Sequence, residues 1–84
     1  MKTSFDYRHR AAQLLRLYRW KCKFYGKQTI IPNYLRKHIY SCYMQICVLY
    51  EIGLISISCK TRAFYMYAKI RDKYYRGVKN GNNE

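Results

Sequence analysis

The sequence predicts an all-α fold, a three-helix antiparallel bundle, and three observations support this prediction. Apolar and aromatic residues recur at three- and four-residue intervals, the spacing of a helix face, in three separate segments. Gly and Pro are few and lie mostly between these segments. The 84 residues suffice for one small domain, in which short connections make neighbouring helices antiparallel.

The helix boundaries follow from the apolar spacing and from the Gly and Pro positions. Pro32 lies where the first turn of a second helix would begin, because a missing N–H costs nothing there. Gly53 can end that helix, and Gly77 follows the third apolar pattern. The predicted helices are 6–25, 33–50 and 60–76, in one domain at 1–77 that is followed by a polar flexible tail at 78–84.

Each predicted helix has one apolar face, and tyrosine occupies many positions where a bundle usually has leucine. A buried tyrosine needs a partner for its hydroxyl, so such a face suits contact with another molecule. The three faces are Ala11, Leu15, Tyr18, Cys22 and Tyr25; Leu35, Ile39, Tyr43, Ile46 and Tyr50; and Ala63, Tyr67, Ile70 and Tyr74.

The charge of the chain indicates an acidic partner. There are 17 Lys and Arg residues against four Asp and Glu residues, a formal charge of +13, which repels itself and costs stability. Nucleic acid, an anionic membrane surface and an acidic protein are the three partner classes that would offset it. Half of the residues are hydrophobic and eleven are tyrosine, which excludes a disordered basic tail.

Catalysis and metal binding are both disfavoured by the residue pattern. The sequence has no nucleophile–base pair, no carboxylate pair and no phosphate-binding Gly loop, so we expect no enzyme. The four cysteines and two histidines have no zinc-like spacing, and no secretory signal indicates an oxidising compartment. We therefore expect reduced thiols and no metal site.

Residues 39–58 are the stretch that comes nearest to a membrane span. Glu51 and Gln45 lie inside it, and a charge at the bilayer centre costs about 2.5–3.5 kcal/mol, so a span is disfavoured. Its end, "IGLISIS", alternates like a strand, but an isolated strand has no partner. We interpret it as a loop or as the frayed end of helix two.

The N-terminal segment carries the pattern that points to a family. Its first 24 residues are Arg-rich and nearly free of acids, like a mitochondrial transit peptide, and we interpret them as an uncleaved helix that can carry import information. Leu17-Tyr18-Arg19 in this helix resembles the motif of the LYR-motif family, small mitochondrial matrix proteins. The resemblance extends to flanking and later residues: Leu14, Leu15, Lys21, Lys23, Phe24, Ala68, Lys69 and Arg76.

Within that family the chain is most similar to the LYR partner of the mitochondrial cysteine desulfurase, which has a pair like Asn33-Tyr34 before its second helix. The family's Phe-Arg pair late in helix two is absent, and "ICVLYE" stands there. The resemblance implies a mitochondrial matrix adaptor or assembly factor that binds an acidic acyl carrier protein. The resemblance further implies that the adaptor serves iron–sulfur cluster biogenesis through the desulfurase, or a respiratory or ribosomal assembly.

The resemblance also implies the residues that make these contacts. The resemblance implies that the chain has no cofactor of its own and that its ligand is the acyl-4′-phosphopantetheine of the bound carrier. The residues implied to bind the carrier are Leu17, Tyr18, Arg19, Lys21, Lys23 and Phe24. The residues implied to line the acyl chain within the core are Leu15, Ile39, Tyr43, Ile46, Tyr67 and Ile70.

Two other functions remain open at the level of sequence. A small RNA-binding subunit of a mitochondrial or other ribosome would use the same cations for phosphates and the tyrosines for base stacking, although no known RNA-binding motif is present. A small subunit of a membrane complex would use residues 39–58.

Overall fold

The protein folds into three helices that all pack against one another, as the sequence predicts. The computed structural model describes the backbone of residues 4–79 and the side chains of residues 6–79. Helix α1 spans Ser4–Gly26, α2 spans Asn33–Glu51 and α3 spans Ile57–Lys79. The all-α three-helix bundle is therefore confirmed.

Contacts between the helices define an up-down-up arrangement. Lys21 of α1 contacts His38 and Cys42 of α2, and Tyr50 near the end of α2 lies under Lys60 near the start of α3, so α2 runs antiparallel to both neighbours. Helices α1 and α3 run parallel, because residues 18 and 26 of α1 bond residues 63 and 73 of α3. The two helices with the most cations thus lie side by side.

The α2–α3 connection is built by two capping motifs. Gly53 has a φ of +82°, which glycine adopts without a Cβ penalty, and the Gly53 and Leu54 N–H groups bond the carbonyls of Tyr50 and Leu49 at 3.0 and 2.9 Å. The Ser56 hydroxyl then accepts a hydrogen bond from the Cys59 N–H at 3.2 Å, an N-cap for α3. Helix α3 therefore begins at Ile57, three residues before the predicted start.

The C-terminal end of α3 differs from the sequence-based prediction. Helix α3 continues through Gly77 to Lys79, so the expectation that Gly77 follows the helix is wrong, and residues 78–79 belong to the helix. The rest of the predicted tail, 80–84, lies outside the described residues.

Residues 39–58 do not form one continuous helix. Helix α2 ends at Glu51, and residues 52–56 form the connection to α3. Among the helices described, none is both long and apolar enough to cross a membrane.

The core contains most of the residues predicted for the three apolar faces. Ile39, Ile46 and Ile70 are the largest side chains with almost no exposure, and Ile31 from the α1–α2 connection joins them. The remaining core residues are Ala11, Tyr18, Cys22, Leu35, Leu49, Ala63 and Tyr67. Leu15, Tyr25, Tyr43 and Tyr74 pack against this core from partly buried positions. Tyr18 satisfies its buried hydroxyl by donating a hydrogen bond to the Ala63 carbonyl, as a buried tyrosine requires.

Candidate functional site

An open groove between α1 and α3 has a volume of about 810 Å³. This is within the roughly 300–1,000 Å³ that small-molecule sites occupy. We call it the α1/α3 groove. It is lined by Arg19, Cys22, Lys23, Gly26, Met66, Lys69, Ile70, Asp72, Lys73 and Arg76.

The rim of the α1/α3 groove is cationic because of helical spacing. Positions three, four and seven residues apart share one side of a helix, which places cations from both helices at the same opening. Asp72 is the one acid among the lining residues, and its carboxylate already pairs with Arg71 at 3.3 Å. A concave surface with one sign of charge concentrates oppositely charged ligands. The rim cations are Arg19, Lys23, Lys69, Lys73 and Arg76.

The floor of the groove is apolar. Cys22, Met66 and Ile70 lie there, and Ile70 is also part of the core. Burial raises the pKa of the Cys22 thiol to about 11, which its hydrogen bond with Tyr18 partly opposes. The thiol is therefore neutral at physiological pH and behaves as a small apolar side chain. An apolar floor beneath a cationic rim suits a ligand with an apolar chain and an anionic group.

One end of the groove is fixed by a contact across it. The Lys73 ammonium donates a hydrogen bond to the Gly26 carbonyl at 2.8 Å, so it contacts the last residue of α1. The final carbonyls of a helix lack partners within the helix and carry partial negative charge, which a lysine satisfies. This contact joins α1 to α3 where the two cationic helices would otherwise separate.

The structure divides the six predicted carrier-binding residues among four locations. Arg19 and Lys23 line the α1/α3 groove, and Lys21 instead faces α2. Tyr18 is only 2% exposed and belongs to the core, so its side chain is not available for the predicted contact with the carrier. Leu17 and Phe24 are each about half exposed, on the outer side of α1.

The residues predicted to line an acyl chain lie mostly in a core that is already packed. Ile39 and Ile46 are fully buried, and Tyr43 stacks on Tyr67 with ring centroids 5.6 Å apart. Leu15 packs against the edge of this core. Ile70 is the one of these six residues that also lines the α1/α3 groove. An acyl chain would therefore lie in the groove, over the core, and not replace missing core inside it.

A second, smaller cleft of about 130 Å³ lies between α1 and α2. The Lys21 ammonium lies 3.0 Å from His38 Nε2 and 3.9 Å from Cys42 Sγ, so Lys21 contacts α2 at this cleft. Leu17 and Tyr18 form part of its apolar wall. Because Lys21 contacts α2 here, it does not line the α1/α3 groove with Arg19 and Lys23.

Sequence reasoning missed Met66 and Lys73 in the groove and Trp20 on the outer side of α1. Lys69 and Arg76 carried part of the family resemblance, and Lys73 lies between them at the same helical spacing, which was the available signal. Trp20 stacks on Phe24 with ring centroids 5.4 Å apart and is 59% exposed. An exposed tryptophan cannot be recognised from spacing alone.

The described side chains form no metal-binding cluster, and comparisons with known proteins identify no family. Within residues 4–79, no three His, Cys, Asp or Glu side chains lie close enough together to hold a metal ion. All four cysteines are free thiols. Comparison of the chain with protein-family models, curated proteins and solved structures gave no match in any of the three. The resemblance to the LYR-motif family therefore stays a prediction that rests on the sequence motif.

Proposed function

We propose that the chain is a non-catalytic adaptor that binds an acidic acyl carrier protein and supports a larger complex in the mitochondrial matrix. One observation carries the proposal: the α1/α3 groove combines five cationic side chains with an apolar floor. An acyl-4′-phosphopantetheine arm has the complementary chemistry, a phosphate and a long apolar chain. The groove is therefore the site we assign to the arm.

The two halves of the arm would be recognised by different parts of the groove. Arg19, Lys23 and Lys69 would bind the phosphate and nearby carboxylates of the carrier, since charge-assisted hydrogen bonds are the strong ones. Cys22 and Met66 would contact the acyl chain, and each methylene that leaves water contributes about 0.8 kcal/mol. The charge complementarity would also accelerate association with the acidic carrier surface.

The complex that the adaptor serves is proposed to be the cysteine desulfurase of iron–sulfur cluster biogenesis. This part rests on the Asn33-Tyr34 pair of the family resemblance. Tyr34 is 72% exposed at the start of α2, where a partner can reach it. Asn33 accepts two hydrogen bonds from Arg36, at 3.1 and 2.6 Å, which hold the first turn that presents Tyr34. A respiratory or ribosomal assembly is the other proposed destination.

The test is recovery of the carrier with matched charge reversals. Lys69 lines the groove, whereas Lys37 lies on an exposed part of α2 outside it. Lys69→Glu and Lys37→Glu therefore make the same charge change inside and outside the groove. Intact mass spectrometry of the co-purified material should show an acylated, phosphopantetheinylated carrier with the unmodified chain and with Lys37→Glu. Lys69→Glu and Arg19→Glu should recover at least about tenfold less carrier, the loss expected when a desolvated charge pair is broken.

The RNA-binding alternative predicts a different pattern. Each cation would contribute a similar amount, because phosphate contacts are spread over the whole basic surface. Equal losses from Lys69→Glu and Lys37→Glu, or recovery of RNA in place of the carrier, would contradict the carrier proposal.

A further inference from the structure

The outer side of α1 carries an exposed apolar stripe that does not line the α1/α3 groove. Leu17, Trp20 and Phe24 are 49, 59 and 49% exposed, and the two rings are nearly parallel, with an interplanar angle of 11°. We call these three residues the outer stripe. They lie three, four and seven residues apart, so they share one side of the helix.

The neighbours of Trp20 in sequence show which way the outer stripe faces. Arg19 lines the groove toward α3, and Lys21 contacts His38 and Cys42 of α2. Successive side chains of a helix diverge by about 100°. Trp20, between Arg19 and Lys21, therefore points away from both neighbouring helices, out of the bundle.

Cations flank the outer stripe along both of its edges. Helical spacing places Arg16 and Lys23 on the edge toward α3, and Arg10 on the edge toward α2. Arg10, Arg16 and Lys23 are exposed. Asp6, more than two turns before Leu17, is the one acid in the sequence of α1. An apolar centre between two cationic edges matches the interface of an anionic bilayer, in which phosphates lie beside the acyl boundary.

We propose that the outer stripe binds α1 flat against the surface of an anionic lipid membrane. Leu17, Trp20 and Phe24 would enter the boundary between headgroups and acyl chains, which is where tryptophan is enriched in membrane proteins. The flanking lysines and arginines would keep their stems along the apolar boundary and their charges among the lipid phosphates. The helix lies on this surface and does not cross it.

The composition of the outer stripe favours lipid over nucleic acid. Single-stranded nucleic acid stacks its bases on separate exposed aromatic faces. In the outer stripe the two rings cover a face of each other, and the third member is an aliphatic leucine. What the stripe offers is continuous apolar area, which lipid can cover.

The test uses the fluorescence of Trp20, the single tryptophan of the chain. The full chain is mixed with phosphatidylcholine vesicles that contain about 30% phosphatidylserine, and with vesicles of phosphatidylcholine alone. The anionic vesicles should shift the emission to shorter wavelength, and brominated lipids should quench it. Phe24→Ser should weaken binding about tenfold, whereas Tyr65→Ser, which removes a 61% exposed ring from α3, should bind like the unmodified chain.

Three results would overturn the membrane assignment. The first is that anionic vesicles bind the unmodified chain but the Trp20 emission does not shift. The second is that Phe24→Ser and Tyr65→Ser bind the vesicles equally well. The third is that the emission changes with RNA but not with vesicles. Circular dichroism of Phe24→Ser controls for folding, and bromolipid quenching of the unmodified chain gives an answer that needs no variant. Lys69→Glu should keep the emission shift, so failure of the carrier proposal would be recognised separately.

Discussion

The interface between α2 and α3 is closed, whereas the interface between α1 and α3 is open over much of its length. At the closed interface Tyr43 stacks on Tyr67, and the ring of Tyr40 lies 5.5 Å from that of Tyr67. Cations there lie over rings: the Arg36 guanidinium is 4.9 Å from the centre of the Tyr74 ring. At the open interface, cations of α1 face cations of α3 across a groove of about 810 Å³.

The difference between the two interfaces is one of charge and not of helix type. A guanidinium over an aromatic face is attracted by the ring, and about 0.5–1 kcal/mol or more is gained where the pair is exposed. Cations that face one another gain nothing and repel. The bundle is therefore closed where its cations lie over aromatic rings and open where its cations face one another.

The first prediction tests the closed interface, where the largest effect is expected. Ile39→Ala removes a fully buried side chain and should lower the free energy of unfolding by about 2–5 kcal/mol, because the cavity that remains loses its packing contacts. Val48→Ala, on the same helix but 53% exposed, should change it by less than about 0.5 kcal/mol. Urea unfolding of both variants measures this. Similar losses would mean that α2 is not packed as described.

The second prediction concerns the floor of the open groove. The raised pKa of Cys22, about 11, means that folding favours the neutral thiol. The contribution is complete below the ordinary thiol pKa and is lost as the pH rises through about 11, an effect of up to about 3 kcal/mol. Unfolding free energies between pH 8 and pH 11 should therefore fall more steeply for the unmodified chain than for Cys22→Ala. Cys59→Ala, at a partly exposed position, should keep the steep fall; the same slope in all three proteins would contradict a buried Cys22.

The third prediction concerns the point where α1 and α3 do meet. Tyr18→Phe removes the buried hydroxyl that bonds the Ala63 carbonyl and should cost about 1–2 kcal/mol of unfolding free energy. Tyr65→Phe removes an exposed hydroxyl and serves as the matched control. Thermal unfolding followed by circular dichroism distinguishes them. A stability loss in Tyr65→Phe as large as in Tyr18→Phe would contradict the assignment of Tyr18 to the core.

The sequence predicts the closed part of the molecule better than the open part. Apolar spacing locates Ile39, Ile46 and Ile70 in the core, because burial on one helix face is a property of each helix by itself. It does not reveal that Lys21 turns to α2 while Arg19 turns to α3, since this depends on how the helices are placed around α1. The motif Leu17-Tyr18-Arg19 likewise suggests one continuous binding surface in the sequence, although its three side chains point in three directions.

The ends of α3 show a second limit of the sequence-based prediction. The apolar pattern becomes clear only after residue 60, whereas the helix begins earlier because the Ser56 hydroxyl caps it. At the other end Gly77 suggested termination, but the helix continues to Lys79. One glycine in a helix costs only about 1 kcal/mol, so Gly77 by itself does not end the helix.

The fourth prediction has the smallest effect and bears directly on charge repulsion in the groove. Lys69→Glu should raise the unfolding free energy of the chain without its partner by up to about 1 kcal/mol at low salt, because it replaces repulsion across the groove by attraction. The gain should shrink at high salt, which screens exposed charges. Lys37→Glu should give a smaller gain. If both gains are equal, the net charge of the chain and not the groove accounts for them.

The proposed carrier site requires the α1/α3 groove to bind an apolar chain and an anionic group together. Titration calorimetry of the full chain with decanoyl-4′-phosphopantetheine, with 4′-phosphopantetheine and with decanoate tests it most directly. The conjugate should bind at least about tenfold more tightly than either half, since its two ends use the rim and the floor at once. Lys69→Glu should lose this advantage, and Lys37→Glu should keep it. Equal affinity for the conjugate and for one of its halves, or equal binding by the two variants, would contradict the claim.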